Sequence, residues 1–247
     1  MIKKICSAKY LTFHFEVLPV NCTKFGEAKN KLDMMGKVLS LISIMIVFLS
    51  CYQKSPGTTK LLMANINNEK TEIATFANGC FWCTEAIFEE LDGVLSATSG
   101  YSGGSIENPT YKEVCGGNTG HAECLQIVFD PAKISFDELL EVFWKTHDPT
   151  TLNRQGADVG TQYRSAVFYH NEEQKQKAEK YKAALDQSGA FDKPIVTEIT
   201  PFSKFYPAEN YHQQYFELNE NVNPYCKMVI RPKLDKFRKI FKERLKH

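Results

Sequence analysis

The sequence predicts an α/β fold, a two-layer sandwich whose ferredoxin-like-related mixed sheet carries flanking helices. Three observations predict it. From residue 71 onward, strand-like and helix-like segments alternate as β-α-β, β-α-β and then α. The helix-like segments carry one apolar stripe each, as in Phe136, Leu139, Leu140, Phe143 and Trp144 at i, i+3, i+4, i+7 and i+8. The strand-like runs are short and stop at turn residues such as Asn78-Gly79 and Asp130-Pro131.

In order, Glu72–Ala77 alternates and reads as a strand running into the Asn78-Gly79 turn. Cys83, Ile87 and Leu91 recur at helical spacing with Phe88 beside them, and Gly93 stops that helix. Val94–Thr98 is a second strand. The glycine-rich stretch Ser99–Gly120 reads as a loop, and a loop of that length inside a compact domain is usually functional. Cys124–Phe129 is a strand. Ser135 and Glu138 form a capping box ahead of the next helix. The polar segment His147–Thr161 is a second long connection. Tyr163–Tyr169 is a strand, Asn171 caps a helix ending at Ser188-Gly189, and Ile195–Ile199 is another strand. Pro207–Leu218 reads as a short helix, Asn219–Met228 as coil, and Leu234–Leu245 as a terminal helix.

A chain of 247 residues suits one domain plus extensions. Its net charge of +1 gives no global field for nucleic acid or anionic lipid, and no like-charge run marks a binding tail. The N-terminal part is treated apart. Residues 1–33 form an extension or precede the true start, since Met34-Met35 stand just ahead of Lys37. Residues 34–51 have the layout of a secretory signal: basic residues, the apolar run Val38–Leu49, then Ser50-Cys51. The run is too short to span a bilayer comfortably. Phe48-Leu49-Ser50-Cys51 resembles a bacterial lipoprotein signal. The expectation is therefore a protein exported to the periplasmic side of a bacterial cell envelope and attached to the membrane through a lipidated Cys51. If the signal is not used, the expectation is a cytoplasmic protein. Residues 52–70 read as a tether, and 71–247 as the folded domain.

Of eight cysteines, Cys80, Cys83, Cys115, Cys124 and Cys226 lie in that domain, and an odd number leaves room for a reactive thiol. The sharpest feature is Gly79-Cys80-Phe81-Trp82-Cys83. A strand and a tight turn deliver Cys80 to the first turn of a helix, where unpaired N–H groups and the helix dipole favour a thiolate. Cys83 lies close enough to close a disulfide. C-x-x-C also occurs in zinc sites, with His121 and Cys124 as the possible second half. Opening a helix after a strand, it also suits a thioredoxin-like thiol–disulfide exchanger, but no nearby threonine-proline pair follows.

The motifs GCFWCTEAIF, GYSGG, NPTYKEVC, TGHAE, HDPT, QGADVGTQYRS, FYPAENYHQQY and NPYC occur in this order. Together they resemble the A-type peptide methionine sulfoxide reductase family over residues 71–235. The resemblance implies an α/β sandwich, no cofactor or metal, and reduction of the S epimer of methionine sulfoxide, free or in proteins, with thioredoxin or a similar dithiol as reductant. It also implies Cys80 as nucleophile and functional roles for Glu123, Tyr111, Tyr163 and Asp158. The residue types suit the chemistry. Thiolate attack on a sulfoxide sulfur needs a proton on its oxygen, which Glu123 could deliver. Tyr111 and Tyr163 could hold that oxygen, and Phe81 and Trp82 could enclose the methyl group. On the residues alone, Glu123 reads rather as a salt-bridged strand-end carboxylate, the tyrosines could be half-buried sheet residues and Asp158 could be a turn former. His121 and His212 read as structural.

The chain departs from a common family pattern in lacking a glycine-rich tail with recycling cysteines. It offers Cys83 and Cys226 instead. Cys83 is favoured because closure needs no distant chain movement, whereas Cys226 must be carried in on a segment stiffened by Pro224. The alternatives are a thioredoxin-like oxidoreductase and a zinc-binding lipoprotein.

Overall fold

The computed structural model describes residues 71–247. A six-stranded sheet is built from β1 (Glu72–Asn78), β2 (Val94–Ser102), β3 (Ala122–Phe129), β6 (Ser165–Tyr169), β7 (Glu198–Pro201) and β8 (Phe205–Pro207), in the order β7-β6-β1-β3-β2-β8. The inner four, β6-β1-β3-β2, pair antiparallel throughout. With the helices α1 (Phe81–Phe88) after β1 and α3 (Phe136–Thr146) after β3, they form the split β-α-β-β-α-β unit of ferredoxin-like folds. β7 then adds parallel to β6 after α4 (Glu172–Gln187), and β8 adds antiparallel to β2, so the sheet is mixed.

The alternation of side chains along the strands sorts the two faces. Ala74 and Phe76 of β1 and Leu125, Ile127 and Phe129 of β3 turn to the main core, where α1, α3, α4 and α6 (Arg231–Ile240) contribute Ile87, Leu140, Phe143, Tyr181, Leu234 and Phe237. Ala77, Ala122, Cys124 and Phe168 turn to a smaller cluster on the other face, covered by Phe202 and Phe205. Phe76 is fully buried against the rings of Phe88, Phe136 and Phe143, with centroids 5.1–5.8 Å away. Truncating such a side chain to alanine costs roughly 3–5 kcal/mol.

Several segments depart from the sequence expectations. β2 does not stop at Thr98 but runs on through Ser102, because β3 pairs it from Ser99↔Leu125 to Ser102↔Ala122 and β8 covers Gly100–Ser102. Gly100 permits that crossing, since a Cβ there would sit 2.3 Å from the Phe205 ring. The remainder of the expected loop contains α2 (Tyr111–Cys115), held by a capping box between Thr110 and Glu113. The polar connection after α3 contains a hairpin of β4 (Arg154–Gln155) and β5 (Asp158–Val159). The expected helix over Pro207–Leu218 is instead the end of β8, a 3₁₀ turn at Asn210–His212 and α5 (Tyr215–Asn219). The expected coil before Met228 is helical from Pro224 onward, passing through the π-helical stretch Cys226–Ile230 directly into α6. Asn223 accepts from the Tyr225 amide at 2.9 Å, and Pro224 occupies the first helical position, where its missing N–H costs nothing.

Candidate active site

β1 leads through Gly79, at φ +100°, to Cys80 as the N-cap of α1. No other residue type fits the turn readily: a Cβ on Gly79 would lie 2.6 Å from the Gln155 side chain. Gln155 is itself pinned between the amide and carbonyl of Asp148, at 3.1 and 3.0 Å. Cys80 offers α1 no side-chain cap. A carboxylate from β3 does so instead: Phe81 N donates to Glu123 Oε2 at 3.1 Å, across 42 residues of sequence. Glu123 is 1% exposed, so the helix N-terminus satisfies an otherwise solvent-deprived carboxyl group.

The Cys80 thiol is also buried, 7% exposed. Burial pushes its pKa well above the ordinary value, helped by the hydrogen bond and charge at Cys83 and by the Glu123 and Asp158 carboxylates. The helix end favours a thiolate on Cys80, while burial and the neighbouring carboxyl groups oppose it. The hydrogen bond from Cys80 brings Cys83 down to about 7 against its own burial, with Lys233 and Tyr225 assisting. The two thiols titrate as a pair.

Around that pair the fold gathers groups distant in sequence. Tyr225 Oη lies 3.9 Å from Cys83 Sγ and donates to Asp158 Oδ2 at 2.9 Å. Lys233 Nζ lies 3.8 Å from the same sulfur. Burial works against the Lys233 charge, but the Cys83 and Cys80 thiols and Asp158 outweigh it and hold its pKa above the usual value. Asp158 is raised by burial, which Tyr225 and Lys233 partly offset. Cys226 is fully buried in the same core cluster as Cys80 and Cys83, and burial, with Cys83 nearby, lifts it to about 11. It therefore arrives on a packed helix, not on the swinging coil expected from the sequence.

An aromatic wall stands beside the thiols. Trp82 stacks on Tyr215 at 3.7 Å and 8°, and its indole N–H donates to His212 Nδ1 at 3.1 Å. His212 is buried, which lowers its pKa to about 4, so it stays a neutral acceptor. Phe81 is almost fully buried, stacked on Tyr111 at 6.3 Å and tilted against His212. Glu209 ties this wall down by accepting from the Tyr111 amide at 2.9 Å and the Tyr101 hydroxyl at 3.0 Å. Tyr163 closes the 3₁₀ turn Thr161–Tyr163 and packs against the cluster that holds Cys80 and Cys83. The structure thus brings Cys80, Cys83, Cys226, Glu123, Asp158, Phe81, Trp82 and Tyr111 to one end of α1. Sequence reasoning missed Tyr225, Lys233, Tyr215 and Glu209. Tyr225 sits inside the quoted NPYC motif, so a signal was present; Lys233 is visible only through the tertiary contact.

His121 has both ring nitrogens engaged by loop backbone, at Gly104 N (3.1 Å) and Ile106 O (2.7 Å), and Cys124 points at Gly100 O, 3.6 Å away. Among the described residues no group of three His, Cys, Asp or Glu is placed to hold a metal ion.

Residues 72–245 match the family described as peptide methionine sulfoxide reductase. The chain belongs to that family. It is 55% identical over 175 residues to a peptide methionine sulfoxide reductase of Rhodopirellula baltica, covering 71% of this chain and 90% of the relative. It is 54% identical over 175 residues to one from Natronomonas pharaonis, covering 71% and 98%. Methionine sulfoxide reductase A of Corynebacterium diphtheriae superposes with a TM-score of 0.58 at 38% identity, over 64% of this chain and 80% of the other. A thioredoxin-like exchanger is set aside accordingly. The relatives also correct the expectation of an exported, lipidated protein. The archaeal one consists almost wholly of the matched reductase, with no room for a leader, and it provides no counterpart for a signal ending at Cys51. Residues 34–51 and the tether lie outside the described residues, and among those described no helix is long and apolar enough to cross a membrane. The reductase is an oxidoreductase whose reaction converts S-epimer methionine sulfoxide to methionine.

Proposed function

We propose that Cys80 is the nucleophile of this reductase, within a single catalytic domain of residues 71–247. The observation that carries the assignment is the meeting of a buried thiol and a buried carboxyl at one helix end: Cys80 is the N-cap of α1, and Glu123 accepts from the next amide at 3.1 Å. As the Cys80 sulfur attacks the sulfoxide sulfur, its proton passes to Cys83 along their hydrogen bond. Glu123 delivers a proton to the sulfoxide oxygen, with the Tyr111 and Tyr163 hydroxyls as further partners of that oxygen. Phe81 and Trp82 form the apolar side of the pocket, against the S-methyl group. Oxygen ends on sulfur: the products are methionine and a Cys80 sulfenic acid.

Cys83 then condenses with the sulfenic acid, expelling water and forming a Cys80–Cys83 disulfide. Cys226 takes over the disulfide by thiol exchange, and a thioredoxin-type dithiol reduces it, becoming oxidised in turn. Asp158 fixes Tyr225 beside the thiols. Replacing Cys80 by serine removes the nucleophile at nearly constant volume. The expected result is a folded protein, by circular dichroism, that forms no methionine in a single turnover; methionine formed by Cys80→Ser would end the assignment.

A further inference from the structure

The steps above leave Lys233 without a task, yet its ammonium ends 3.8 Å from Cys83 Sγ. The backbone is shaped to bring it there. Tyr225 and Lys233 are eight residues apart, and in a regular α-helix eight residues leave two side chains roughly 80° apart around the axis. The π-helical stretch Cys226–Ile230 absorbs one additional residue per turn. Tyr225 Oη and Lys233 Nζ consequently reach the same sulfur, at 3.9 and 3.8 Å. A helix irregularity that brings an ammonium and a phenol oxygen to one thiol, beside a second thiol, has a chemical use.

We propose that Lys233 is a catalytic residue of the recycling step, its ammonium holding Cys83 as the thiolate that attacks the Cys80 sulfenic acid. The inference rests on Cys83 being the thiol that condenses with Cys80. In that step the Cys83 sulfur forms the S–S bond and the Cys80 S–O bond breaks. Hydroxide leaves and takes up a proton to become water, balancing the proton that Cys83 gave to solvent on ionising. Cys83 is oxidised as the sulfenic sulfur is reduced, so no outside oxidant is needed. Only the thiolate is an effective nucleophile. The groups facing Cys83 are Cys80 on α1, Asp158 on β5, Tyr225 and Cys226 at the head of the helical tail, and Lys233 on α6. The Asp158 charge opposes a negative charge on Cys83, and Lys233 favours it both as a charge and as a donor.

The test is a single turnover of the full chain with methionine sulfoxide and no reductant, quenched by alkylation. Methionine release and disulfide closure are read separately by mass spectrometry between pH 6 and 9.5. In wild type, closure should rise with pH as Cys83 ionises beside the Lys233 ammonium, with a midpoint below the ordinary thiol value of about 8.5. A wild-type midpoint at the ordinary thiol value would overturn the proposal, and this arm needs no variant to fold. Lys233→Met should move the midpoint up by about one unit, slowing closure at pH 7 by about five- to tenfold and leaving it nearly unchanged at pH 9.5. Lys233→Arg, which keeps the charge, should restore the wild-type profile. Identical profiles for wild type and Lys233→Met would reject the role of Lys233. A Cys83→Ser arm separates the two levels: if it closes a Cys80–Cys226 disulfide at the normal rate, the underlying assignment of Cys83 fails. If it stalls at the sulfenic acid while Lys233→Met keeps the wild-type midpoint, only the Lys233 inference fails.

Discussion

Glu85 offers the sharpest stability test of this fold. It lies on α1, one and a third turns beyond Cys80, and is 1% exposed. Its Oε2 accepts from the Tyr215 amide at 3.3 Å, so it caps α5, the helix whose first ring stacks on Trp82. Burial raises its pKa from 4.5 to about 7, with Glu89 adding to the rise and the Gln214 and Tyr215 amides opposing it. A carboxyl whose folded pKa lies above its unfolded value binds its proton more tightly when folded. Its stabilising contribution is complete below pH 4.5 and is lost as pH rises through about 7. The shift of some 2.5 units corresponds to about 3 kcal/mol between those limits. Glu85→Gln keeps the shape and an acceptor for Tyr215 but cannot ionise. The variant should match wild type at pH 4.5 and exceed it at pH 8 by up to about 3 kcal/mol, or roughly 6–12 °C in Tm for a domain of this size. Urea titrations of both proteins at a series of pH values measure the difference directly. A difference that stays constant from pH 4.5 to 8 would refute the argument that the wild-type carboxyl is strained by burial.

The remaining predictions concern the site and its support. Glu123→Gln should slow methionine formation in a single turnover by roughly 10²–10⁴, the range for loss of a general acid, while substrate affinity changes little; an unchanged rate by rapid quench removes Glu123 from proton delivery. His147 is buried between Phe143 O and Ser165 Oγ, both at 2.7 Å, and burial lowers its pKa to about 4. Its folded pKa is depressed, so its contribution is intact above 6.5 and falls by about 3 kcal/mol as pH drops to 4; His147→Gln should flatten that acid limb in denaturant titrations, and an unchanged limb counts against it. Cys226→Ser should keep the first burst of methionine but lose most thioredoxin-dependent steady-state turnover. Normal turnover would make Cys226 a bystander.

Where local rules decided the structure, the sequence was legible. β1, α3 and α4 follow from alternation, the Ser135/Glu138 capping box and the Asn171 cap, all of which the structure contains, whereas α1 ends at Phe88, short of the Leu91 and Gly93 to which helical spacing pointed. Two errors came from applying such rules unevenly. Thr110 and Glu113 carry the same capping-box spacing as Ser135 and Glu138, yet the surrounding glycines made the segment read as loop. Asn223-Pro224 is a helix-start pair, and reading Pro224 only as a stiffener hid the helix that carries Cys226. Other misses had no local signal. β2 extends through Ser102 only because β3 and β8 pair it there. The C-x-x-C pair and the Glu123, Tyr111 and Asp158 motifs could be named from sequence. The surroundings of the thiols could not, because they depend on burial and on Lys233, 150 residues from Cys83.

The pairing of the two thiols bears on how a buried Cys80 can act as nucleophile. Burial is the largest cause of the high value at Cys80, and the hydrogen bond and charge at Cys83 add to it. What attack on substrate requires is not a second ionisation but movement of the shared proton from Cys80 to Cys83, along a hydrogen bond already formed. The cost of that exchange is the difference between the two sites, and substrate alters it. A sulfoxide oxygen that draws a proton from the Glu123 region leaves positive character on the sulfur facing Cys80, which favours charge there. Once oxygen has moved to Cys80, that sulfur no longer competes for the negative charge, and Cys83 ionises again beside Lys233 for the closing step. On the proposed roles, one proton shuttling between neighbouring sulfurs serves both half-reactions. This explains why the second cysteine stands one helical turn from the first, and why a lysine from the far end of the chain reaches the second sulfur.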